Sequence, residues 1–355
     1  MEEFQGIKIW WSSNKNTPKR PSFSFYPKTE ERRYYTLTFH KRYRDAITKS
    51  YIDKVLKDGK AIAVRNRERK LYTNNPSDSW YEYQSTKWSH VQFEHPANFE
   101  TLAMAENEKE AIKNDLIKFS KGKEYYTKIG KPWKRGYLLY GPPGTGKSTM
   151  IAAMANLLDY DIYDLELTTV KDNSELRKLL IETTSKSIII IEDIDCSIDL
   201  TGQRRKEKKK KKDEEEKKSK KGSKVTLSGL LNFIDGIWSA CGGERIIVFT
   251  TNFVDKLDPA LIRRGRMDRH IEMSYCCFEA FKLLARNYLD LDDHETHPLF
   301  EVVRGLLEKT KVSPADVAES LMQKAVEEDA DICLNRLIRD LESKSAKEGE
   351  QSKEA

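Results

Sequence analysis

The sequence predicts an α/β fold: a parallel sheet covered by helices, with a small α+β domain before it and a C-terminal helical lid after it. Three observations support this prediction. Short apolar strands alternate with helical segments between residues 137 and 249, as in parallel sheets that are buried on both faces. Every element predicted after residue 275 is a helix, and the first 95 residues mix strands and helices.

The domain boundaries follow from these changes of pattern. We predict a small N-terminal domain over residues 1–95, a core over 96–275, a lid over 276–343 and a disordered tail over 344–355. A chain of 355 residues is expected to hold about two to three domains, so this division is ordinary.

Composition excludes several classes of protein. With 38% hydrophobic and 34% charged residues the chain has enough apolar surface for a core, so it is not mainly disordered. No stretch approaches the ~18 apolar residues of a membrane-spanning helix, and residues 1–5 have neither the basic start nor the apolar core of a secretory signal. The five cysteines and six histidines show no metal-binding spacing.

The small domain is predicted from short local patterns. Residues 34–39 are rich in strand-forming side chains, and apolar residues recur at helical spacing between positions 47 and 55. Two further short strands, over residues 70–73 and 91–93, are assigned to the same domain.

The core elements alternate along the chain. Its strands are predicted over residues 137–140, 160–165, 188–191 and 245–249. Its helices are predicted over residues 105–120, from 147 onward, over 174–184 and over 227–238. In the lid, Ser313, Pro314 and Asp316 form a strong helix start, with a capping serine, a proline at the first position and an acid that reaches back.

A phosphate-binding loop follows the first core strand. It consists of Gly141, Pro142, Pro143, Gly144, Thr145, Gly146, Lys147, Ser148 and Thr149. The pattern G-x-x-x-x-G-K-[ST] stands between a strand and a helix, which is the context that a genuine P-loop requires. Its backbone N–H groups and the helix N-terminus bind phosphate oxygens, Lys147 is expected to reach the β- and γ-phosphates, and the Ser148 hydroxyl to hold Mg²⁺.

An acidic pair ends the most apolar strand. Four isoleucines over residues 188–191 bring Glu192 and Asp193 to the carboxyl edge of the sheet, where open α/β folds bind ligands. We expect one carboxylate to coordinate Mg²⁺ and the other to polarise the attacking water.

With these two motifs the sequence resembles the AAA family of ring-forming ATPases. Asn252 ends the next strand like the sensor 1 residue of that family, and residues 257–269 resemble its second region of homology. By that resemblance Arg263 and Arg266 are arginine fingers that complete a neighbouring subunit's site. The lid helix that starts at residues 313–315 lacks a sensor 2 arginine, as in classic AAA proteins.

Within the family, the closest resemblance is to the Bcs-type subfamily of the mitochondrial complex III assembly chaperone and its plant membrane-bound relatives. It is carried by the small preceding domain, by residues 130–137 and by the order Glu192-Asp193, where most AAA proteins have Asp-Glu. By position, Glu192 takes the metal side and Asp193 the place of the catalytic base. Asp193 is one methylene shorter than the usual glutamate, so the attacking water is expected nearer to it.

The resemblance implies a Mg²⁺-dependent ATP hydrolase that forms a homo-oligomeric ring of six or seven copies and remodels or translocates a protein substrate. ATP and Mg²⁺ are the implied cofactors. The catalytic residues it implies are Lys147, Glu192, Asp193, Asn252, Arg263 and Arg266. It also suggests a mitochondrial or endoplasmic reticulum membrane, with attachment only through an anchor that precedes this chain.

A basic insert accounts for the net charge of +6. Residues 204–224 hold 13 basic and 5 acidic side chains, so the rest of the chain is close to neutral and a nucleic-acid partner is not expected. The segment is interpreted as a disordered, solvated loop, with nuclear targeting, RNA contact and attachment to an anionic membrane as alternatives. Two other functions stay open: a nucleic-acid-stimulated motor and a non-hydrolysing nucleotide-dependent scaffold.

Overall fold

The computed structural model describes residues 1–16, 32–65, 67–75, 87–195, 225–236, 243–291, 297–325 and 328–354. The chain forms two compact units, Met1–Glu68 and Arg69–Ala355. The basic insert at residues 204–224 lies outside the described residues. In the described part, no helix is long and apolar enough to cross a membrane.

The first unit is a three-stranded antiparallel sheet with one helical segment. Its strands, in the spatial order β1-β2-β3, are β1 (Glu2–Phe4), β2 (Ile7–Asn16) and β3 (Arg32–Thr38). The helical segment runs through α1 (Arg44–Ala46), a π-helical turn (Ile47–Tyr51) and α2 (Ile52–Arg65). Ile47 and Tyr51, at opposite ends of that turn, are buried together with Ile7 and Ile9 of β2, and these four side chains form the core of the unit.

The second unit contains a seven-stranded sheet in the order β10-β6-β9-β8-β7-β4-β5. The strands are β4 (Lys70–Asn74), β5 (Trp88–Gln92), β6 (Lys134–Tyr140), β7 (Asp161–Asp164), β8 (Ser187–Ile191), β9 (Arg245–Thr251) and β10 (Arg269–Glu272). All neighbouring pairs are parallel except β4 and β5. The predicted parallel α/β core is therefore confirmed.

The predicted boundary at residue 95 needs correction. β4 and β5, assigned to the small domain from their local pattern, extend the core sheet instead: Leu71 pairs with Ile162 of β7. Trp88 packs edge-on against Tyr163 and donates its indole N–H to the Leu179 carbonyl at 3.0 Å. The small unit thus ends at Glu68. The sheet to which β4 belongs is decided by its pairing with the distant strand β7, and local composition carries no information about that pairing.

Helices cover both faces of the sheet. One layer contains α3 (Glu106–Ser120), α4 (Lys123–Lys128) and α5 (Lys147–Leu158), and the other contains α6 (Asn173–Glu182) and α7 (Leu227–Asp235). The isoleucines of β8 alternate between the layers: Ile188 and Ile190 pack with the side of α3 and α5, and Ile189 and Ile191 with the side of α6 and α7. This two-sided burial explains why β8 is apolar at every position.

The lid consists of four helices: α8 (Phe278–Leu289), α9 (Phe300–Leu307), α10 (Pro314–Leu321) and α11 (Ala330–Glu354). The predicted start of α10 is confirmed, since Ser313 and Asp316 form a capping box with Pro314 inside it. The predicted disordered tail at 344–355 is wrong, because α11 continues to Glu354. Lys344 contributes to this, as its ammonium lies 2.8 Å from the Asp316 carboxylate and ties the added turns to α10.

Candidate active site

The phosphate-binding loop connects β6 to α5 and has a backbone that side chains would obstruct. Gly141 has φ +142°, and a Cβ atom there would lie 2.1 Å from the Met273 carbonyl oxygen. Gly146 caps α5 with φ +88°. The Thr145 hydroxyl donates a 2.8 Å hydrogen bond to the Pro142 carbonyl and closes the loop on itself. The glycines of the motif therefore allow a turn that leaves backbone N–H groups available for an anion.

Lys147 lies at the centre of this loop. Its ammonium donates to the Gly141 carbonyl at 2.9 Å, to the Pro142 carbonyl at 3.0 Å and to Asn252 Oδ1 at 2.7 Å. Partial burial lowers the pKa of Lys147, while nearby carboxylates act in the opposite direction. The contact joins the phosphate-binding loop to the end of β9, although Lys147 and Asn252 are 105 residues apart in the chain.

The two predicted carboxylates have different partners. Ser148 Oγ lies 3.3 Å from Glu192 Oε1, within hydrogen-bond distance. Asp193 has φ +44° and its N–H donates to the Thr250 hydroxyl at 3.1 Å. Its Oδ1 accepts a 3.4 Å hydrogen bond from Asn252 Nδ2. Glu192 therefore faces the P-loop serine, and Asp193 faces the polar residue that ends β9.

The oxygen donors at this edge fit Mg²⁺. In the described residues, no group of three or more His, Cys, Asp and Glu side chains could hold a metal by itself. A hydroxyl and a carboxylate are the hard oxygen ligands that Mg²⁺ accepts, and phosphate oxygens and water usually complete its shell. Ser148 and Glu192 would thus hold the ion only together with a bound nucleotide.

A cavity of about 840 Å³ extends from the phosphate-binding loop to the lid. At one end lie Lys147, Ser148, Asp193 and Asn252. The other end was not foreseen from the sequence, and it is lined by Thr101, Leu102, Ala103, Leu284, Asn287, Tyr288, Pro314, Ala315 and Ala318. The lid contacts the loop directly, since the Ala315 N–H donates to the Gly144 carbonyl at 3.1 Å. The helix start at Ser313 was the only sequence signal that could have pointed there.

Comparison with known proteins agrees with this site. The family model for the ATPase family associated with various cellular activities (AAA) matches residues 137–275, and the model for the At3g28540-like AAA+ ATPase lid domain matches residues 276–354. The chain belongs to the AAA ATPase family. It is therefore an ATP-hydrolysing enzyme, which removes the support for the non-hydrolysing scaffold. The matched range of the lid begins at residue 276, which is the lid boundary predicted from the sequence.

Two relatives from Arabidopsis thaliana illustrate the similarity. "AAA-ATPase ASD, mitochondrial" is 65% identical over 353 residues, covering 96% of this chain and 69% of that protein. "AAA-ATPase At3g28510" is 67% identical over 356 residues, covering 98% of this chain and 67% of that protein. These relatives are plant AAA ATPases, in agreement with the resemblance drawn from the motifs.

The predicted arginine fingers of this AAA ATPase lie in different environments. Arg266 donates from Nε to Asp235 Oδ2 at 2.8 Å and from its terminal nitrogen to the Ala260 carbonyl. Arg263 is exposed. The loop that carries both rests on β6, where a Cβ on Gly136 would lie 1.7 Å from the Arg266 carbonyl oxygen. Neither arginine lines the cavity, so the structure does not bring them to the chain's own phosphate-binding loop.

A further acid lies at the same sheet edge. Asp164 ends β7, next to β8, and burial raises its pKa to about 6, with Glu192 and Glu166 adding to the effect. Asp164 is not among the residues predicted from the sequence, although a polar residue at the end of a core strand is a usable signal. Asp164 increases the negative charge around Glu192, which favours a cation there.

Proposed function

We propose that this AAA ATPase hydrolyses Mg²⁺-bound ATP within a homo-oligomeric ring of six or seven copies and uses the reaction to remodel or translocate a protein substrate. The observation that carries the proposal is the convergence of Lys147, Ser148, Asp193 and Asn252 at one end of a cavity large enough for a nucleotide, with Glu192 in contact with Ser148.

Each of these residues has a role in hydrolysis under this proposal. Lys147 exchanges its backbone carbonyl partners for β- and γ-phosphate oxygens, to which an ammonium binds more strongly. Ser148 and Glu192 would hold Mg²⁺, and the bound ion would supply positive charge against the charge that develops on the phosphates. Asp193 accepts a hydrogen bond from the attacking water and receives its proton, and Asn252 keeps that carboxylate and the γ-phosphate at the same edge.

Assembly is supported by the position of the arginines. A guanidinium stabilises the charge of the transferring phosphoryl group, and this chain keeps Arg263 and Arg266 outside its own cavity. A neighbouring copy that presents Arg263 would complete the site. Arg266, bound to Asp235, orients the loop that carries Arg263 unless assembly releases it.

A protein substrate is supported by the loop that follows β7. Asn74, which is buried, donates to the Glu166 carbonyl at 3.3 Å and to the Thr169 hydroxyl at 2.7 Å, and accepts from the Glu166 N–H at 2.9 Å. These bonds fix the base of the segment 167–173, which is by its position the candidate for a loop that contacts the substrate. The mitochondrial name of one relative supports a mitochondrial location for this chain.

Complementation between two inactive variants tests the shared site. Lys147→Ala removes the phosphate-binding ammonium but keeps both arginines, and Arg263→Ala removes the arginine but keeps the phosphate-binding loop. Mixing the two should restore part of the ATPase activity, measured as phosphate release with particle mass in the same samples. The exposed neighbour Arg264→Ala is the matched control and should stay active. Loss of activity in Arg263→Ala without any restoration on mixing would refute the ring proposal.

A further inference from the structure

The cavity of this ATPase has a polar end and an apolar end. The polar end is the phosphate site described above. Away from it the walls are mostly apolar, formed by Leu102, Ala103, Leu284, Pro314 and Ala318. Flat aromatic rings gain most from such walls, since they bury two faces at once. The base of a nucleotide held by its phosphates would therefore lie at this end.

Three polar side chains line the apolar end: Thr101, Asn287 and Tyr288. The Thr101 hydroxyl is engaged locally, since it donates to the Asn98 carbonyl at 3.1 Å and accepts from the Asn98 N–H at 3.0 Å. Tyr288 is 39% exposed, and Asn287 is exposed as well. Asn287 is the side chain of the three that carries both a donor and an acceptor on one rigid plane.

The orientation of the Asn287 amide is fixed by the backbone opposite. Its Nδ2 donates to the Thr101 carbonyl at 3.3 Å. If the amide turned over, its Oδ1 would face the Thr101 carbonyl oxygen. Two acceptors repel each other, so the turned amide would lose this hydrogen bond. Oδ1 is therefore held away from Thr101, and within the described residues no donor is bound to it.

We propose that Asn287 makes this enzyme specific for adenine nucleotides by presenting Oδ1 as a fixed acceptor to the 6-amino group of the base. Adenine carries an amino donor at that position, and guanine carries a carbonyl acceptor. An acceptor with a fixed orientation binds the first and repels the second. The cost of leaving two acceptors face to face, once the bound base covers this wall, is the source of the discrimination.

The same contact links the base to the lid. Asn287 belongs to α8 and Thr101 to the segment before α3, so the amide joins the two sides of the cavity while it contacts the base. Asn287 is therefore expected to affect the affinity for the nucleotide base. This inference rests on the nucleotide-binding part of the proposed function alone, and neither hydrolysis nor assembly enters its test.

The test compares affinities for three nucleotides on the full chain. ATP, GTP and purine riboside triphosphate, which has a hydrogen in place of the 6-amino group, compete with a fluorescent ADP. The wild type should bind ATP about tenfold more tightly than purine riboside triphosphate, and more tightly still than GTP. Asn287→Leu, of similar volume, should bind ATP and purine riboside triphosphate equally. Asn335→Leu removes an exposed amide that also donates to a backbone carbonyl but lies outside the cavity lining, and it should keep the wild-type ratio.

Each alternative result overturns the inference. If Asn287→Leu weakens all three nucleotides by one factor, the amide is only a link between the lid and the segment at Thr101. If the wild type binds ATP and purine riboside triphosphate equally, the protein does not recognise the 6-amino group. This measurement uses only the wild type, so it remains valid even if the variant fails to fold. A failure of the ring proposal would leave these affinities unchanged, so the two failures can be told apart.

Discussion

Glu244 is a buried acid that the proposed chemistry does not use, and it predicts how stability depends on pH. It precedes β9 at the end of the sheet opposite the site, is 3% exposed, and accepts a hydrogen bond from the buried hydroxyl of Tyr160. Burial raises its pKa from 4.5 to about 7. The Glu244 carboxyl is therefore partly protonated in the folded protein near neutral pH.

The sign and size of the effect follow from linkage. Between pH 4.5 and 7 the folded state holds a proton on Glu244 that the unfolded chain has lost, so the free energy of unfolding falls as pH rises through this window. At about 1.4 kcal/mol per pKa unit, the full cost above pH 7 is on the order of 3 kcal/mol. Below pH 4.5 both states are protonated and the cost disappears.

Glu244→Gln should remove this dependence, because an amide of the same shape has no charge to bury. We expect the variant to gain on the order of 3 kcal/mol over the wild type at pH 8 and little at pH 5, measured by denaturant unfolding of the second unit. The exposed Glu308→Gln is the control and should show no such difference. An equal gain at pH 5 and pH 8 would show that Glu244 is not a buried acid with a raised pKa, and would refute the reasoning.

Three further predictions concern the site and its support. Gly136→Ala should lower the free energy of unfolding by about 2 kcal/mol, because its Cβ would lie 1.7 Å from the Arg266 carbonyl oxygen. The control Gly305→Ala, where a Cβ meets open space, should be neutral or stabilising. Equal melting temperatures for the two variants would contradict the close packing at Gly136. Asp193→Asn should bind ATP normally and release phosphate at least about a hundredfold more slowly, and unchanged turnover would exclude it as the base. Ser313→Ala should cost about 1 kcal/mol through loss of the cap, and an unchanged melting temperature would contradict this.

Short continuous motifs could be predicted from the sequence, whereas most long-range contacts could not. The loop around Lys147 and the pair Glu192-Asp193 could be identified because each motif is continuous and its flanking strand and helix follow from local pattern. The partnership of Ser148 with Glu192 and of Lys147 with Asn252 could only be expected from the rule that parallel strands end at one edge. The structure supplies the distances, 3.3 Å and 2.7 Å.

Other contacts had no local signal. Arg266 was selected as a finger from its motif, and its ion pair with Asp235 joins segments 31 residues apart. The base end of the cavity combines Thr101 with Asn287, 186 residues later. Neither residue type is unusual at its position, so sequence patterns of helix or strand period could not find the pair.

What the sequence determined by itself is the nucleotide chemistry: a glycine-rich turn between strand and helix, an apolar strand that ends in two acids, and a helical lid that contains a capped proline helix start. Tertiary structure alone decided that β4 and β5 belong to the core sheet, that Asp235 holds Arg266, and that the lid closes the far end of the cavity. The physical reason is that conformational preferences act over a few neighbouring residues. Strand pairing, ion pairs and cavity walls depend on which distant segments meet when the apolar faces are buried.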